Sequence, residues 1–218
     1  MAEISDFQHP RFARAYIAAA EAADRRGGRA HRERLLAGLA GRVIEVGAGS
    51  GRNFAHYPQA VTEVVAVEPD DTLREFATVA AKSAPVPVFV VAGHADALPG
   101  DDGGFDAAVV SLVLCTVPSA SRALREIARV LKPGGQLRFY EHVRSPNALL
   151  GRLADLITPL WRRAAAGCHP NRDTLAAIER AGFTVEEVAR FGFAPQPVIP
   201  RLAHILGRAR LSQGAPDK

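Results

Sequence analysis

Residues 43–51 read Val43-Ile44-Glu45-Val46-Gly47-Ala48-Gly49-Ser50-Gly51, so an apolar strand-forming run leads directly into a turn with three alternating glycines. Such an apolar run is typical of a buried strand in a parallel sheet. Glycine tolerates positive φ and has no Cβ, so a ligand can lie against the backbone of this turn. In a doubly wound sheet the first strand-to-helix turn lies beside the ligand-binding crevice. The stretch therefore predicts a nucleotide-like ligand at the end of the first strand.

Strand and helix patterns alternate outward from this turn. Strands are predicted over 42–46, 64–68, 86–92, 105–114 and 136–142, and helices over 30–39, 71–82 and 119–131. This alternation indicates βαβ units with right-handed crossovers. Two further strands, 183–191 and 204–211, have the pattern of an antiparallel hairpin. We expect an α/β fold with a doubly wound, Rossmann-like seven-stranded sheet, mostly parallel with an antiparallel last strand, and with helices on both faces.

The composition is that of an ordinary globular chain, with 48% hydrophobic and 23% charged residues and a mean hydropathy of zero. Two cysteines cannot form a disulfide framework, and no apolar stretch reaches the roughly 18 residues of a membrane span. The net charge is +4, with basic residues in excess towards both ends, but no basic run alternates with stacking aromatics. These features predict a cytoplasmic protein with no transmembrane segment and no nucleic-acid partner, and they leave the oligomeric state open.

An acidic residue, Glu68, closes the second predicted strand, at the position where a nucleotide ribose would lie. A carboxylate there accepts hydrogen bonds from the ribose hydroxyls of NAD or of an adenosyl ligand. NAD is disfavoured because the dinucleotide pattern G-x-G-x-x-G requires a third glycine at position 52, where this chain has Arg52.

Four motifs resemble those of the class I S-adenosylmethionine-dependent methyltransferases with a type 11 methyltransferase domain. They are Glu45–Gly51, Val67–Pro69, Gly93–Pro99, and Phe105-Asp106 with Leu131–Gly135. The resemblance runs from about residue 35 to the C-terminus and implies S-adenosylmethionine as cofactor. It implies that Glu45 and Gly47 face the methionine end of the cofactor, flanked by Gly49 and Gly51, and that Ser111 lies near the methionine moiety. It further implies that Glu68 holds the ribose. Asp96 and the amide of Ala97 are expected to contact the adenine. Asn53, Pro69 and Leu98 complete the expected cofactor-binding set.

The second half of the chain is similar to one branch of that family, the methyltransferase-like thiol methyltransferases of animal endoplasmic reticulum and lipid droplets. That branch methylates alkyl thiols and hydrogen sulfide. The likeness rests on Leu112–Cys115, Tyr140–Val143, Leu160-Trp161, Gly167-Cys168 and Asn171–Thr174. The chain departs from the branch because it has no hydrophobic N-terminal membrane anchor, so we expect peripheral membrane contact at most.

The same reasoning predicts the organisation of the chain. We expect an N-terminal helical cap over 1–40, an S-adenosylmethionine-dependent methyltransferase domain over 41–211, and a flexible tail over 212–218. A helical insertion is expected at about 146–181. It contains an apolar helix pattern at 148–166, interrupted at Thr158-Pro159, and a short helix at 173–181.

His142, at the end of the fifth predicted strand, is the candidate catalytic residue, with Glu141 beside it. A thiol of pKa about 8.5 is roughly a tenth ionised near pH 7.5 and a hydroxyl is not, so a general base is optional for sulfur and needed for oxygen. His142 is then either an acceptor-side base or orienter, or a histidine that bonds the following loop. Glu141 stays equally open between a catalytic and a structural role.

Phe12, Tyr16, Cys115 and Trp161 are the expected acceptor-binding residues. Residues 149–161 have the pattern of an acceptor lid, an interfacial membrane helix or plain core. Cys115, Cys168, His142 and His169 offer zinc-ligand side chains, but no C-x-x-C or H-x-x-x-H spacing supports a site. We therefore expect no metal and buried, reduced thiols.

Together, the two resemblances imply an S-adenosylmethionine-dependent methyltransferase of a small apolar nucleophile, with a thiol favoured. Two alternatives stay open. One is O- or N-methylation of a lipid headgroup, quinone or secondary metabolite, and the other is a non-catalytic adenosyl-binding protein.

Overall fold

Seven strands form one sheet in the computed structural model, which describes residues 3–196 and 201–212. They are β1 (Gly41–Val46), β2 (Val61–Val67), β3 (Val88–Val91), β4 (Phe105–Ser111), β5 (Leu131–His142), β6 (Phe183–Phe193) and β7 (Leu202–Leu211). Their order in the sheet is β3-β2-β1-β4-β5-β7-β6. Strands β1 to β5 are parallel, and β7 runs antiparallel to both of its neighbours. The expected sheet is confirmed, and its order reverses between β1 and β4, where doubly wound sheets bind ligands.

Six α-helices accompany the sheet within the described residues. They are α1 (Pro10–Ala23), α2 (Arg29–Leu36), α3 (Asp71–Ala81), α4 (Ala120–Val130), α5 (Ala148–Ala164) and α6 (Thr174–Arg180). The side chains of Asp70, Ser119, Asn147 and Asp173 cap α3, α4, α5 and α6 by accepting backbone N–H groups, which satisfies donors that a helix start leaves unpaired. A π turn at Asp24–Gly28 joins α1 to α2, with Gly27 at a φ of 120°.

The alternation of side chains along β1 divides the core into two layers. Ile44 belongs to a buried cluster with Leu124 and Ile127 of α4. Val43 belongs to a second cluster with Leu35 and Leu36 of α2. Because successive side chains of a strand point to opposite faces, helices cover both faces of the sheet, as expected.

Several elements differ from the sequence predictions. Strand β4 ends at Ser111 rather than at residue 114, because Leu112 adopts a φ of 62° and turns the chain. Strand β5 begins at Leu131 rather than at residue 136, because Leu131 already pairs with Phe105. The glycine turn after β1 leads only into a three-residue 3-10 helix, Phe54–His56.

Helix α5 continues through Pro159, so the predicted interruption at Thr158-Pro159 is wrong. Proline removes one backbone hydrogen bond from a helix. The helix is largely exposed, so water can satisfy the carbonyl that loses its donor. The hydroxyl of Thr158 also donates to the carbonyl oxygen of Ala154 at 2.6 Å.

Residues 213–218 of the predicted tail fall outside the described residues. Within the residues that the structure describes, no helix is both long enough and apolar enough to cross a membrane.

Candidate functional site

A cavity of about 950 Å³ opens at the carboxyl ends of β1, β2 and β4. It lies at the point where the strand order reverses, because β1 stands between β2 and β4. Its lining comes from the glycine turn, the ends of these strands, the N-terminal segment and the residues after α5. Seven of the sequence-predicted site residues line it, namely Phe12, Tyr16, Gly47, Gly49, Glu68, Pro69 and Ser111.

The glycine turn forms one wall of this cavity. The amides of Gly47 and Ala48 both donate to the carbonyl oxygen of Val67, which ties the turn to the end of β2. Gly47 has a φ of 68°, and a Cβ there would lie 2.6 Å from Cγ2 of Val113. Gly49 has a φ of 57°, with Tyr16 at 3.4 Å from the position of a Cβ. Gly47 is required both by its positive φ and by the close approach of Val113, whereas at Gly49 the positive φ alone favours glycine.

Glu68 is held rigidly at the end of β2. One carboxylate oxygen accepts the amide of Gly49 at 2.7 Å and the other accepts the amide of Asp70 at 2.9 Å. Burial raises the pKa of Glu68 to about 7. The side chain therefore links the glycine turn to the start of α3 and presents a carboxyl group to the cavity.

Glu45, by contrast, lies behind the cavity wall. It accepts hydrogen bonds from Asn53 Nδ2 at 2.8 Å and from the Tyr57 hydroxyl at 2.7 Å, and burial raises its pKa to about 7. Arg32 continues this network, donating to Asn53 Oδ1 and to Asp24, each at 3.0 Å. In the structure Glu45 and Asn53 brace the glycine turn from within rather than line the cavity.

Arg52 occupies the place of the third dinucleotide glycine for a structural reason. Its guanidinium donates to Asp24 Oδ2 at 2.5–2.8 Å. This ion pair fastens the joint between α1 and α2 to the glycine turn. Gly51 also has a packing role, because a Cβ there would lie 2.7 Å from the Phe54 ring.

The N-terminal segment lines the cavity and is hydrogen-bonded to residues at the end of β2 and the start of α3. Gln8 donates to the carbonyl oxygen of Pro69 at 2.7 Å and accepts the amide of Asp71 at 3.0 Å. The amide of His9 donates to Asp70 Oδ2 at 2.8 Å. Farther along, the Phe7 ring stacks on His94 at 5.3 Å. The segment thus touches both the ribose-side turn and the loop after β3.

The residues expected at the adenine lie around that same loop. Asp96 Oδ1 is buried and has no hydrogen-bond partner among the described residues. The amide of Ala97 already donates to the carbonyl oxygen of His94, and that of Leu98 donates to Glu126. Asp96, Ala97 and Leu98 do not line the cavity as observed, whereas His94 does.

Glu141 is fully buried and clamps the loop after β4. Its carboxylate accepts the amides of Val113, Leu114 and Cys115 at 2.9–3.0 Å. Each oxygen accepts at least one of these amides, and the side chain does not line the cavity. In this arrangement Glu141 shapes the loop that carries Val113 and Thr116 to the cavity, which corresponds to the structural alternative for this residue.

His142 lies between two thiols. Its Nδ1 is 3.5 Å from Cys115 Sγ and 3.4 Å from Cys168 Sγ, and the two sulfurs are 3.8 Å apart. The hydrogen bond with Cys115, supported by His142, lowers the pKa of Cys168, while the same bond and burial raise the pKa of Cys115. The side chains of His142, Cys115 and Trp161 do not line the cavity, but the neighbouring Thr116 and Gly167 do.

Helix α5 presents a row of apolar side chains to solvent. Leu149 and Leu156 are each 76% exposed, and Leu150, Leu153 and Leu160 are more than half exposed. The interpretation of residues 149–161 as plain core is therefore wrong. The helix approaches the cavity only at its C-terminal end, through Arg162, Arg163 and the residues that follow.

Several lining residues were missed by the sequence reasoning. They are chiefly Gln8, Asp70, His94, Leu112, Thr116 and Val117. Asp70 had a signal, since it follows the Glu68-Pro69 motif and caps α3. His94 and Leu112 lie in motifs quoted for the resemblance but were not predicted as site residues, and Leu112 reaches the cavity through a turn with a positive φ. No local pattern points to Gln8, Thr116 or Val117.

Comparison with known proteins agrees with this geometry. A family model described as a methyltransferase domain matches residues 44–139. The thiol S-methyltransferase TMT1B of Rattus norvegicus is 34% identical over 77% of this chain and 69% of its own length. The human TMT1B is 34% identical over 80% of this chain and 73% of its own length.

A solved structure shares the fold across nearly the whole chain. The SAM-dependent methyltransferase of Thermotoga maritima superposes with a TM-score of 0.70 at 24% identity, covering 93% of this chain and 97% of its own. This likeness supports the assignment of the sheet and its helices.

Proposed function

Because the chain belongs to the class I S-adenosylmethionine-dependent methyltransferases, we propose that its acceptor is a small apolar thiol. S-adenosylmethionine is the methyl donor. When bound, it supplies a methyl group already activated on a sulfonium.

The residues of the cavity fit this donor. Glu68 offers a buried carboxylate for the ribose hydroxyls, and Gly47 and Gly49 leave the backbone bare where a ligand must approach. Ser111 Oγ is buried, lines the cavity and has no partner among the described residues. Asp96 Oδ1 does not line the cavity, but it lies in the same loop as the lining residue His94 and is buried without a partner among the described residues; the exocyclic amine of adenine is a donor that would match it. Unsatisfied buried polar atoms are costly, so a ligand with matching groups is expected to bind there.

The apolar wall of the cavity is the observation that carries the acceptor proposal. Beyond the glycine turn the lining includes Phe12, Leu112, Val113, Val117 and Pro118. An apolar acceptor gains free energy by leaving water for such a wall. The relatives named thiol S-methyltransferases at 34% identity support sulfur as the acceptor atom.

Positioning and exclusion of water are the main tasks of this chain in the transfer. Holding two reactants in line supplies up to about 7–11 kcal/mol of the barrier. The segment around Gln8 and His9 covers the cavity, and the loop held by Glu141 presents Val113 and Thr116 to it. A thiol needs little help to ionise near neutral pH. His142 then serves to position this wall, since its Nδ1 faces Cys115 and Cys168.

The first test is S-adenosylhomocysteine formation, followed by mass spectrometry, with matched apolar thiols, amines and phenols. We expect turnover with thiols. Turnover confined to phenols or amines contradicts the thiol proposal and favours O- or N-methylation. Absence of product from every acceptor, with S-adenosylmethionine bound by calorimetry, also contradicts it and favours a non-catalytic role.

A matched pair of variants tests whether this cavity holds the acceptor. Val117→Phe narrows the cavity, and Val188→Phe adds the same ring at an exposed position on β6 that does not line the cavity. We expect Val117→Phe to raise KM for bulky thiols about tenfold or more over small ones. Val188→Phe should leave that ratio unchanged.

A further inference from the structure

Three side chains that the proposed transfer does not require as reactants converge behind the cavity wall. Cys115 follows β4, His142 ends β5 and Cys168 follows α5, so three separate segments contribute. Their ligand atoms all lie within 4.8 Å of one another, and no other such group of histidine, cysteine or acidic side chains occurs in residues 3–196 and 201–212. Cys115 and Cys168 are buried.

The triangle formed by these atoms has the dimensions of a tetrahedral zinc site. With Zn–S of about 2.3 Å and Zn–N of about 2.0–2.1 Å, two sulfurs lie about 3.8 Å apart and a sulfur and a nitrogen about 3.6 Å apart. The observed Sγ–Sγ distance is 3.8 Å, and the two Sγ–Nδ1 distances are 3.5 and 3.4 Å. All three edges therefore agree with one ion at the centre.

A disulfide is a poorer account of this geometry. It requires the two sulfurs to approach to about 2.05 Å, well inside the 3.8 Å observed. It also gives no role to the imidazole nitrogen, which is almost equally close to Cys115 and Cys168.

The charge and softness of the three groups suit the same ion. Two thiolates neutralise a divalent cation, which lowers the cost of burying each charge. Thiolate and imidazole ligands in tetrahedral geometry favour zinc among the common divalent metals.

Hydrogen bonds hold the segments that carry the two cysteines in place. Glu141 accepts the amide of Cys115 at 3.0 Å. The amide of His169 donates to the carbonyl oxygen of Cys115 at 2.7 Å, which joins the two cysteine segments. Arg172 Nη1 donates to the carbonyl oxygens of Leu114 and Val117 at 2.6 and 2.7 Å. Such support is typical of the residues around metal ligands.

We propose that Cys115, His142 and Cys168 bind one zinc ion. This differs from the expectation drawn from sequence, because the three ligands have no recognisable spacing along the chain, and His169 does not join them. Three protein ligands leave the fourth tetrahedral position to water or another small ligand. Thr116 and Gly167, the chain neighbours of the two cysteines, line the cavity, so the ion lies in its wall.

Metal content of the full chain tests this proposal directly. Protein purified in reductant without chelators should contain about one zinc per chain by plasma mass spectrometry. After the zinc is removed, titration with Co²⁺ should produce sulfur-to-cobalt charge-transfer absorption. X-ray absorption of the zinc form should show two sulfurs at about 2.3 Å.

Single substitutions identify the ligands. Cys115→Ser, Cys168→Ser and His142→Ala should each weaken Co²⁺ binding by about 100-fold or more, because each removes a ligand and the loss of even a supporting residue costs about 10–100-fold. His169→Ala is the matched control and should retain the metal. Calorimetric binding of S-adenosylmethionine reports whether each variant is folded.

Three results would overturn the proposal. One is wild-type protein that binds S-adenosylmethionine but contains no zinc and shows no charge-transfer absorption with Co²⁺. Another is metal that persists in all three ligand variants. The third is reduced protein that takes up no Co²⁺ and instead forms a Cys115–Cys168 disulfide in air. The wild-type measurements decide the matter even if a ligand variant fails to fold.

Discussion

Replacing Glu68 by Gln should separate the charge of this residue from its shape. The carboxylate accepts the amides of Gly49 and Asp70 at 2.7 and 2.9 Å and lines the cavity. Hydrogen bonds to a charged group contribute about 1.5–3 kcal/mol each. Losing the charge beneath two ribose hydroxyls should cost about 2–5 kcal/mol of the binding free energy of S-adenosylmethionine. Part of this cost arises because the amide nitrogen of the glutamine would face another hydrogen-bond donor. The Kd for S-adenosylmethionine should then rise about 30- to 4,000-fold.

The pH dependence of binding gives this prediction a second signature. Burial raises the pKa of Glu68 to about 7, above its ordinary value near 4.5. The carboxyl group of the free protein is therefore ionised above pH 7 and increasingly protonated below it. If only the ionised form accepts the ribose hydroxyls, the Kd should be constant above about pH 8 and rise about tenfold per pH unit below 7.

Isothermal calorimetry between pH 5.5 and 8.5 measures both effects. Glu45→Gln is the control, because Glu45 also has a pKa of about 7 but lies behind the wall, bonded to Asn53 and Tyr57. Glu68→Gln should abolish the rise of the Kd below pH 7, and Glu45→Gln should retain it. An unchanged Kd in Glu68→Gln would show that Glu68 does not bind the ribose. If the pH dependence of the Kd were lost only in Glu45→Gln, the titrating group would be Glu45.

Three further substitutions test the surroundings of the cavity. Glu141→Gln should lower the free energy of unfolding by about 2–4 kcal/mol in urea titrations. The reason is that a side-chain amide cannot accept all three hydrogen bonds that the carboxylate accepts from the loop amides. Unchanged stability would show that Glu141 does not hold this loop. Gly47→Ala should lower the free energy of unfolding by about 1–3 kcal/mol in the same measurement, because it places a Cβ on a residue with a φ of 68° and 2.6 Å from Val113. A variant as stable as the wild type would contradict this prediction. Gln8→Ala removes the hydrogen bonds to Pro69 and Asp71 and should speed dissociation of S-adenosylmethionine about 5- to 30-fold in stopped-flow experiments. A dissociation rate equal to that of the wild type would show that the N-terminal segment does not retain the ligand.

Three glutamates that are all candidate site residues have different surroundings in the structure. Glu45, Glu68 and Glu141 each end or nearly end a predicted strand, so their position along a strand does not show which of them reaches the cavity. In the structure Glu68 reaches the cavity, whereas Glu45 and Glu141 bond side chains and amides behind its wall. The difference depends on which groups the neighbouring strands and loops bring near each carboxylate.

The presence of the seven strands, the glycine turn, the acidic residue after β2 and the class of fold were readable from the amino-acid sequence, although the ends of β4 and β5 were not. The reason is that hydrophobic periodicity, glycine conformations and helix caps act between residues a few positions apart. The course of α5 through Pro159 and the turn at Leu112 were not readable, because exposure to water and packing against other segments override the local preference.

The meeting of Cys115, His142 and Cys168 required the folded chain. The two cysteines are 53 residues apart in sequence, and His142 is 27 and 26 residues from them. Their separation in space is set by the pairing of β4 with β5 and by the loop after α5. Local patterns carry no information on such a convergence, since it arises from strand register and hydrogen bonds between distant segments.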